Sequence, residues 1–398
     1  MTGVPGRGGG APPRTVGVCL VGHSLGSANL GVRALTESNM AMLRAAAAEA
    51  GVGIRFTLLL PSDDDRSGAL PADTTELVVR AKDLLVDVAR PRRPVRDLLD
   101  ASDLAVDIGA GDSYTDLYGN WRLAFLTGAK VLFRRHRRAV VMAPQTIGPF
   151  RAAPARWAGA LGLRSCRAVF GRDDPSCTLA RTLAPRVPTT LAADVAFDLP
   201  FRREAPPRGG ATRVGLTVSS LLAAPGARAR FGLAMDVGAF VEGVARALRG
   251  LGAQVVLVPH VLPGNPVESG DLTSLAGCDD VEVARPFTDA SDAKSFISGL
   301  DALVSARMHA TIAAVSSGVP AIPIAYSKKV PDLYGALGYP YWIDARTAPA
   351  ADAVEQVTAW LSDLSQLRAA ACRAAGEASA RLGRYRAHLV DVLGSVAA

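Results

Sequence analysis

Short apolar runs alternate along this chain with longer amphipathic or alanine-rich stretches. That rhythm is the mark of parallel sheets flanked by helices. Thr15–Val21 predicts a first strand, followed by a glycine-rich loop and a helix over Leu35–Glu49. Gly51–Leu60 predicts a second strand, and Leu77–Val88 a helix that the proline-punctuated basic segment Arg90–Arg96 interrupts. Leu104–Ile108 predicts a strand running into Gly109-Ala110-Gly111-Asp112. A helix around Asn120–Leu132 then leads to strands at Ala139–Ala143, Ala168–Phe170 and Thr190–Ala192.

Proline and glycine cluster over 200–210, which marks a linker. The rhythm then restarts with strand Arg213–Val218, helix Val237–Arg249, strand Gln254–Val258 and helix Ala290–Ser298. Strand Ala302–Ser305, a helix from Met308, strand Ala321–Ala325 and a helix near Pro331–Leu337 follow, and an Ala/Arg-rich helical region runs from Ala350 to about Leu393. The fold class expected is α/β, with two Rossmann-like domains facing each other across a cleft. The divisions expected are a disordered tail (1–14), a first domain (15–199), a linker (200–211), a second domain (212–347) and a C-terminal helical region (348–398). In such sheets ligands sit at the carboxyl ends of the strands.

Composition narrows the choices. With 398 residues, 49% of them apolar and 20% charged, the chain has material for two real cores. No apolar run reaches the length of a membrane span, and the Gly/Pro-rich start lacks the apolar core of a secretory signal. Five scattered cysteines without a C-x-x-C pair and five dispersed histidines argue against a disulfide scaffold and against any metal site, so buried thiols in a reducing cytoplasm are expected. The net charge of +7 rests on 39 arginines against five lysines. With aromatics at only 6% and no nucleic-acid module, nucleic acid is not an expected partner. The basic segments 90–96 and 134–138 read first as solvated faces, with peripheral contact to an anionic membrane surface as the alternative. Association into a homo-oligomer is left open.

Several strand-end loops carry candidate chemistry. Gly22-His23-Ser24-Leu25-Gly26 has the G-x-S-x-G form of a hydrolase nucleophile elbow. The loop continues past Ser24, however, and no strand precedes it to supply an oxyanion hole, so a ligand-approach loop is the better reading. In the Gly109 loop, Asp112 and Ser113 are expected to project toward the cleft or to cap a turn. Ala143-Pro144-Gln145-Thr146-Ile147-Gly148-Pro149-Phe150 breaks a strand, and Arg172 stands at the end of another just before Asp173-Asp174-Pro175-Ser176. The richest segment is Ser305-Ala306-Arg307-Met308-His309-Ala310-Thr311, where a strand ends and an arginine and a histidine open a helix. A helix N-terminus favours a phosphate or carboxylate, arginine adds a two-pronged donor, and histidine moves protons near neutral pH. The next strand exits at Tyr326-Ser327-Lys328-Lys329, so an anion pocket is expected at this edge.

Together these segments resemble the polysaccharide pyruvyl transferase family. The resemblance is carried by Asn29-Leu30-Gly31, the Gly109–Asp112 loop, Gln145–Pro149, Arg172–Ser176, Ala193-Asp194-Val195-Ala196-Phe197, Ser305–Ala310, Gly318-Val319-Pro320 and Tyr326–Lys329. Val32 stands where members usually carry an acidic residue, and Met308 where leucine is frequent. The resemblance implies a fold similar to the two-domain glycosyltransferase B architecture. It also implies transfer of the carboxyethylidene group of phosphoenolpyruvate to two hydroxyls of a sugar, in a nucleotide- or lipid-linked precursor of a cell-envelope or exported glycan. No cofactor is implied, phosphoenolpyruvate being a co-substrate. On that footing His309 is expected as general acid/base and Asp112 as the group that orients or deprotonates the acceptor. Arg307, Lys329, Lys328 and Arg172 are expected on the donor, and Asn29 and Ser113 on the acceptor. A nucleotide-sugar glycosyltransferase of the same fold, or a non-catalytic phosphate- or sugar-binding protein, is the alternative.

Overall fold

The computed structural model describes residues 14–62, 68–109, 113–205, 210–217, 219, 222, 224–261 and 281–398. Two parallel sheets organise them. The first contains β1 (Thr15–Val21), β2 (Gly53–Pro61), β3 (Thr74–Val79), β4 (Leu104–Asp107), β5 (Ser113–Tyr114), β6 (Ala139–Ile147), β7 (Ala168–Gly171) and β8 (Thr189–Leu191). Their spatial order is β3-β2-β1-β4-β6-β7-β8, with β5 paired to β6 off that path. The second contains β9 (Arg213–Thr217), β10 (Gln254–Leu257), β11 (Glu282–Val283), β12 (Ala302–Ser305), β13 (Ala321–Ala325) and β14 (Ile343–Asp344), ordered β11-β10-β9-β12-β13-β14. In each sheet the strand order reverses beside the first strand, between β1 and β4 and between β9 and β12. That switch point opens a crevice at the carboxyl ends of the strands.

The strands are buried on both faces, which is why they read as near-continuous apolar runs. β1 is buried from Val16 to Val21 and β13 along its whole length. Helix starts follow side-chain caps. Asn29 accepts the Gly31 N–H at 2.9 Å, so the first helix runs Leu30–Glu49 and begins five residues before the expected Leu35. Asp236 and Asp289 cap Val237–Gly250 and Ala290–Ile297 in the same way.

One expectation is corrected. Leu77–Val88 is not one helix. Thr74–Val79 is β3, paired to Phe56–Pro61, and a helix over Ala81–Ala89 follows. The β-branched pairs Thr74-Thr75 and Val78-Val79 suit an edge strand, and the boundary at Arg80 carries neither glycine nor proline to announce it. The basic segment after it opens a helix, Arg93–Asp100, with Pro94 in its first turn where a missing N–H costs nothing.

The C-terminal region is helical, as two helices with different destinations. Ala350–Leu361 packs on Val237–Gly250 in the second half. Leu364–Ala397 returns to the first half, against the Leu30–Glu49 helix and β1. Its buried stripe of Leu367, Ala371, Ala374, Ala378, Leu382, Tyr385, Leu389 and Leu393 has helical spacing, and the alanines permit close approach. Each buried leucine contributes about 1.5–3 kcal/mol. Tyr385 Oη donates to Asn39 Oδ1 at 2.9 Å, and Asn39 Nδ2 meets His23 Nε2 at 2.8 Å, which fixes the returning helix in register. One apolar core therefore runs through both halves and the last helix.

Candidate active site

β12 ends at Ser305, whose Oγ accepts the Arg307 N–H at 2.9 Å and so turns the chain into helix Met308–Ser316. Arg307 holds the cap position with an extended backbone and no side-chain cap of its own, leaving the first N–H groups of the helix directed at the crevice. A cavity of about 370 Å³ opens there, between the two halves. The first half contributes Asn29, Val32, Leu117 and Tyr118, and the second His260, Arg307, His309 and Lys329. Phe231 and Tyr326, stacked edge to face at 5.7 Å, form an aromatic wall. Arg307 and Lys329 bring two cationic side chains to its wall.

His309 is held from both halves. Its side chain is 14% exposed, and Nε2 stands 3.8 Å from Asp194 Oδ2. Asp194 is fully buried. Its Oδ1 accepts the Ala196 N–H at 3.0 Å, and its Oδ2 accepts Arg172 Nη1 at 2.7 Å. Arg172 Nε in turn donates to Thr146 Oγ1 at 2.8 Å. A negative charge is thus fixed behind the imidazole and anchored by the strand ends of β6 and β7. On the other side the ring rests on the first turn of Leu30–Glu49, where a Cβ added to Gly31 would meet His309 Nδ1 at 2.4 Å. Glycine is required at that position by the close approach of the other domain's histidine.

Two further groups shape the cavity. His260, just beyond β10, is 4% exposed. Burial, reinforced by the neighbouring His309 and Arg307, pushes its pKa down to about 3, so it stays neutral and offers one donor and one acceptor. Lys329 Nζ donates to Tyr118 Oη at 2.9 Å, bridging the cleft.

His309, expected as general acid/base, and Arg307 and Lys329, expected on the donor, converge on the cavity. Lys328 is exposed at the start of helix Lys329–Ala336 and does not line it. Arg172, only 3% exposed, pairs with Asp194 at 2.7 Å and does not line the cavity wall. Asn29 lines the cavity, but its Oδ1 is spent on the helix cap. Ser113 is 1% exposed within β5, opposite Thr146, and is not on the cavity wall because its strand turns it into the sheet. Asp112 lies outside the described residues. The hydrolase-like Ser24 is 4% exposed, and His23 beside it is turned to Asn39 and the Val21 carbonyl, its pKa pushed down to about 4 by burial. Gly109, at φ 64°, lies against Gln145 Oε1, and Gln145 donates to Asp107, itself paired with buried Lys130 at 2.7 Å.

Gly31, Asp194, Tyr118 and His260 were given no catalytic or donor role from sequence. Signals existed for three. Gly31 and Asp194 belong to the segments that carry the family resemblance, and His260 follows a strand end on the ligand-binding edge.

Two parallel-sheet halves with a crevice between them, and a basic helix N-terminus in the second, define a glycosyltransferase B-type fold. Solved structures agree. The chain is similar to a protein of Listeria monocytogenes described as a UDP-N-acetylglucosamine 2-epimerase (TM-score 0.60, 12% identity, covering 94% of this chain and 96% of that one). It is similar to UDP-GlcNAc 2-epimerase from Neisseria meningitidis bound to UDP-GlcNAc (0.56, 11%, 94% and 99%). It is also similar to a UDP-glucosyltransferase from Polygonum tinctorium (0.55, 12%, 97% and 99%). At these identities the likeness concerns the fold alone. No curated protein matches the sequence. The pattern of the family described as polysaccharide pyruvyl transferase matches residues 40–328, and the chain belongs to that family.

Proposed function

We propose that the cavity binds phosphoenolpyruvate and that the protein transfers its carboxyethylidene group to two hydroxyls of a sugar in a glycan precursor. The observation that carries this reading is the grouping of Arg307, His309 and Lys329 on one cavity at the N-terminus of helix Met308–Ser316. Phosphoenolpyruvate brings about three negative charges, two of them on a phosphate that suits a helix N-terminus and an arginine fork. Arg307 and the first N–H groups of Met308–Ser316 hold the phosphate, and Lys329 the carboxylate. His309 delivers the proton that turns the methylene carbon into a methyl group as one sugar hydroxyl adds to C2. The proton lost by that hydroxyl restores His309. The C2–O bond to phosphate then breaks, the second hydroxyl closes the ketal, and its proton leaves with inorganic phosphate. Asp194 keeps a charge behind the ring through this cycle, and the neutral His260 orients a donor oxygen by one hydrogen bond.

The test is incubation with phosphoenolpyruvate and a panel of nucleotide- and lipid-linked sugars. The expected result is phosphate release together with a product heavier by one pyruvate less one water. Release of a nucleoside diphosphate from a nucleotide sugar, with phosphoenolpyruvate inert, contradicts it and identifies a glycosyltransferase instead.

A further inference from the structure

A second basic concavity, of about 610 Å³, lies at the opposite edge of the first sheet. Its residues precede the strands: Arg14 before β1, Asp103 before β4, Arg138 before β6, Arg167 before β7 and Arg186 before β8. β6 spans nine residues, so this groove stands about 25 Å from the carboxyl edge of its own sheet. Seven arginines and one carboxylate line it. That carboxylate, Asp103, already accepts the Gly17 N–H at 3.0 Å and faces Arg14 at 3.6 Å and Arg138 at 3.9 Å. Among the described residues Arg134, Arg137 and Arg186 have no carboxylate partner.

Helix ends explain part of this charge. Arg134 and Arg164 lie in the last turns of Asn120–Arg135 and Ala153–Arg164, where a cation offsets the helix dipole. Arg137 is different. It is the non-glycine residue with positive φ among the described residues, at 58°. Its N–H bonds the Arg134 carbonyl at 3.1 Å, and the next N–H, of Arg138, reaches back to Phe133 at 2.9 Å. This is a Schellman ending, whose left-handed position strongly favours glycine. An arginine there works against the backbone and places its charge in the groove. Local stability does not account for it, whereas an anion does.

We propose that this groove is a second anion site, distinct from the cavity between the halves, for a ligand carrying two or more phosphate groups. Its concave form and its seven arginines favour a discrete phosphorylated group over a flat apolar partner. The site stands independently of the donor reading of the cavity.

Sodium tripolyphosphate titrated calorimetrically into the Arg307→Ala protein, whose cavity site is weakened, reports on the groove. The protein binds it, and added salt weakens the binding. Adding Arg137→Gly lowers affinity about fivefold while the melting temperature stays level or rises, a split that a purely structural arginine does not produce. The further replacements Arg134→Glu, Arg137→Glu and Arg186→Glu remove binding. Co-sedimentation separates the sources. Retention on phosphatidylglycerol vesicles but not phosphatidylcholine vesicles, lost in the charge-reversed variant, assigns a lipid headgroup, and tripolyphosphate binding without vesicle retention assigns a soluble ligand. Affinity unchanged by charge reversal, or neither tripolyphosphate binding nor vesicle retention in the Arg307→Ala protein, overturns the proposal.

Discussion

The protein has two basic concavities, and they differ in kind. The groove on the first sheet has more arginine, all of it from one half, with most of those side chains open to solvent. The cavity between the halves has fewer cations, but they surround a histidine pinned by a glycine on one side and a buried carboxylate on the other. Charge alone attracts anions at either place. Chemistry needs a proton carrier held in a fixed position, and fixing it takes both halves of the chain. The histidine proposed as the proton carrier belongs to the second half, while Gly31, Asp194 and Arg172 that surround it belong to the first.

The sharpest way to break this contrast is to remove the proton carrier. His309→Ala is expected to lower kcat by about 10²–10⁴ while phosphoenolpyruvate still binds, as read by single-turnover kinetics beside calorimetry. The same turnover with and without the histidine would make the two concavities equivalent. Next is the glycine that receives it. Gly31→Ala forces the ring to move and is expected to cost about a hundredfold in kcat. Little change in melting temperature or donor affinity would accompany it, and a variant that loses stability instead assigns Gly31 to packing.

Arg307→Lys keeps the charge but loses the fork, and a rise of about tenfold in donor KM with a smaller effect on kcat is expected. The groove variant Arg137→Gly, by contrast, leaves pyruvyl transfer to a soluble acceptor unchanged, which steady-state assays with both substrates check. The smallest effect concerns pH. His260 is held neutral by the fold down to about 3, whereas in the unfolded chain it protonates near 6.5. Between those values the unfolded state binds more protons, so stability falls as pH drops, by at most about 1.4 kcal/mol per unit. Urea unfolding at pH 7 and pH 5 checks this, with a shallower dependence expected in His260→Gln.

Much of the fold was legible because strands buried on both faces announce themselves as apolar runs, as at Thr15–Val21 and Ala321–Ala325. β3 was hidden because its six residues pass into a helix without a breaking residue, and edge pairing with β2 decides its conformation. The path of Leu364–Ala397 was hidden because an Ala/Arg stripe says which face is buried but not against what. The cavity was partly legible for a similar reason. Arg307 and His309 share one strand-to-helix turn, and Lys329 follows at the next strand end. Asp194 lies more than a hundred residues away from them, and only the packing of the two halves brings it behind the ring. Arg172 shows the converse: the sequence marks a charged residue at a strand end but not that it pairs with Asp194.

The most direct measurement is a crystal structure with phosphoenolpyruvate bound. The phosphate is expected at the N-terminus of Met308–Ser316, about 3 Å from the Arg307 guanidinium, with the methylene carbon facing His309. Phosphoenolpyruvate bound in the arginine groove, with the cavity between the halves empty, would contradict it.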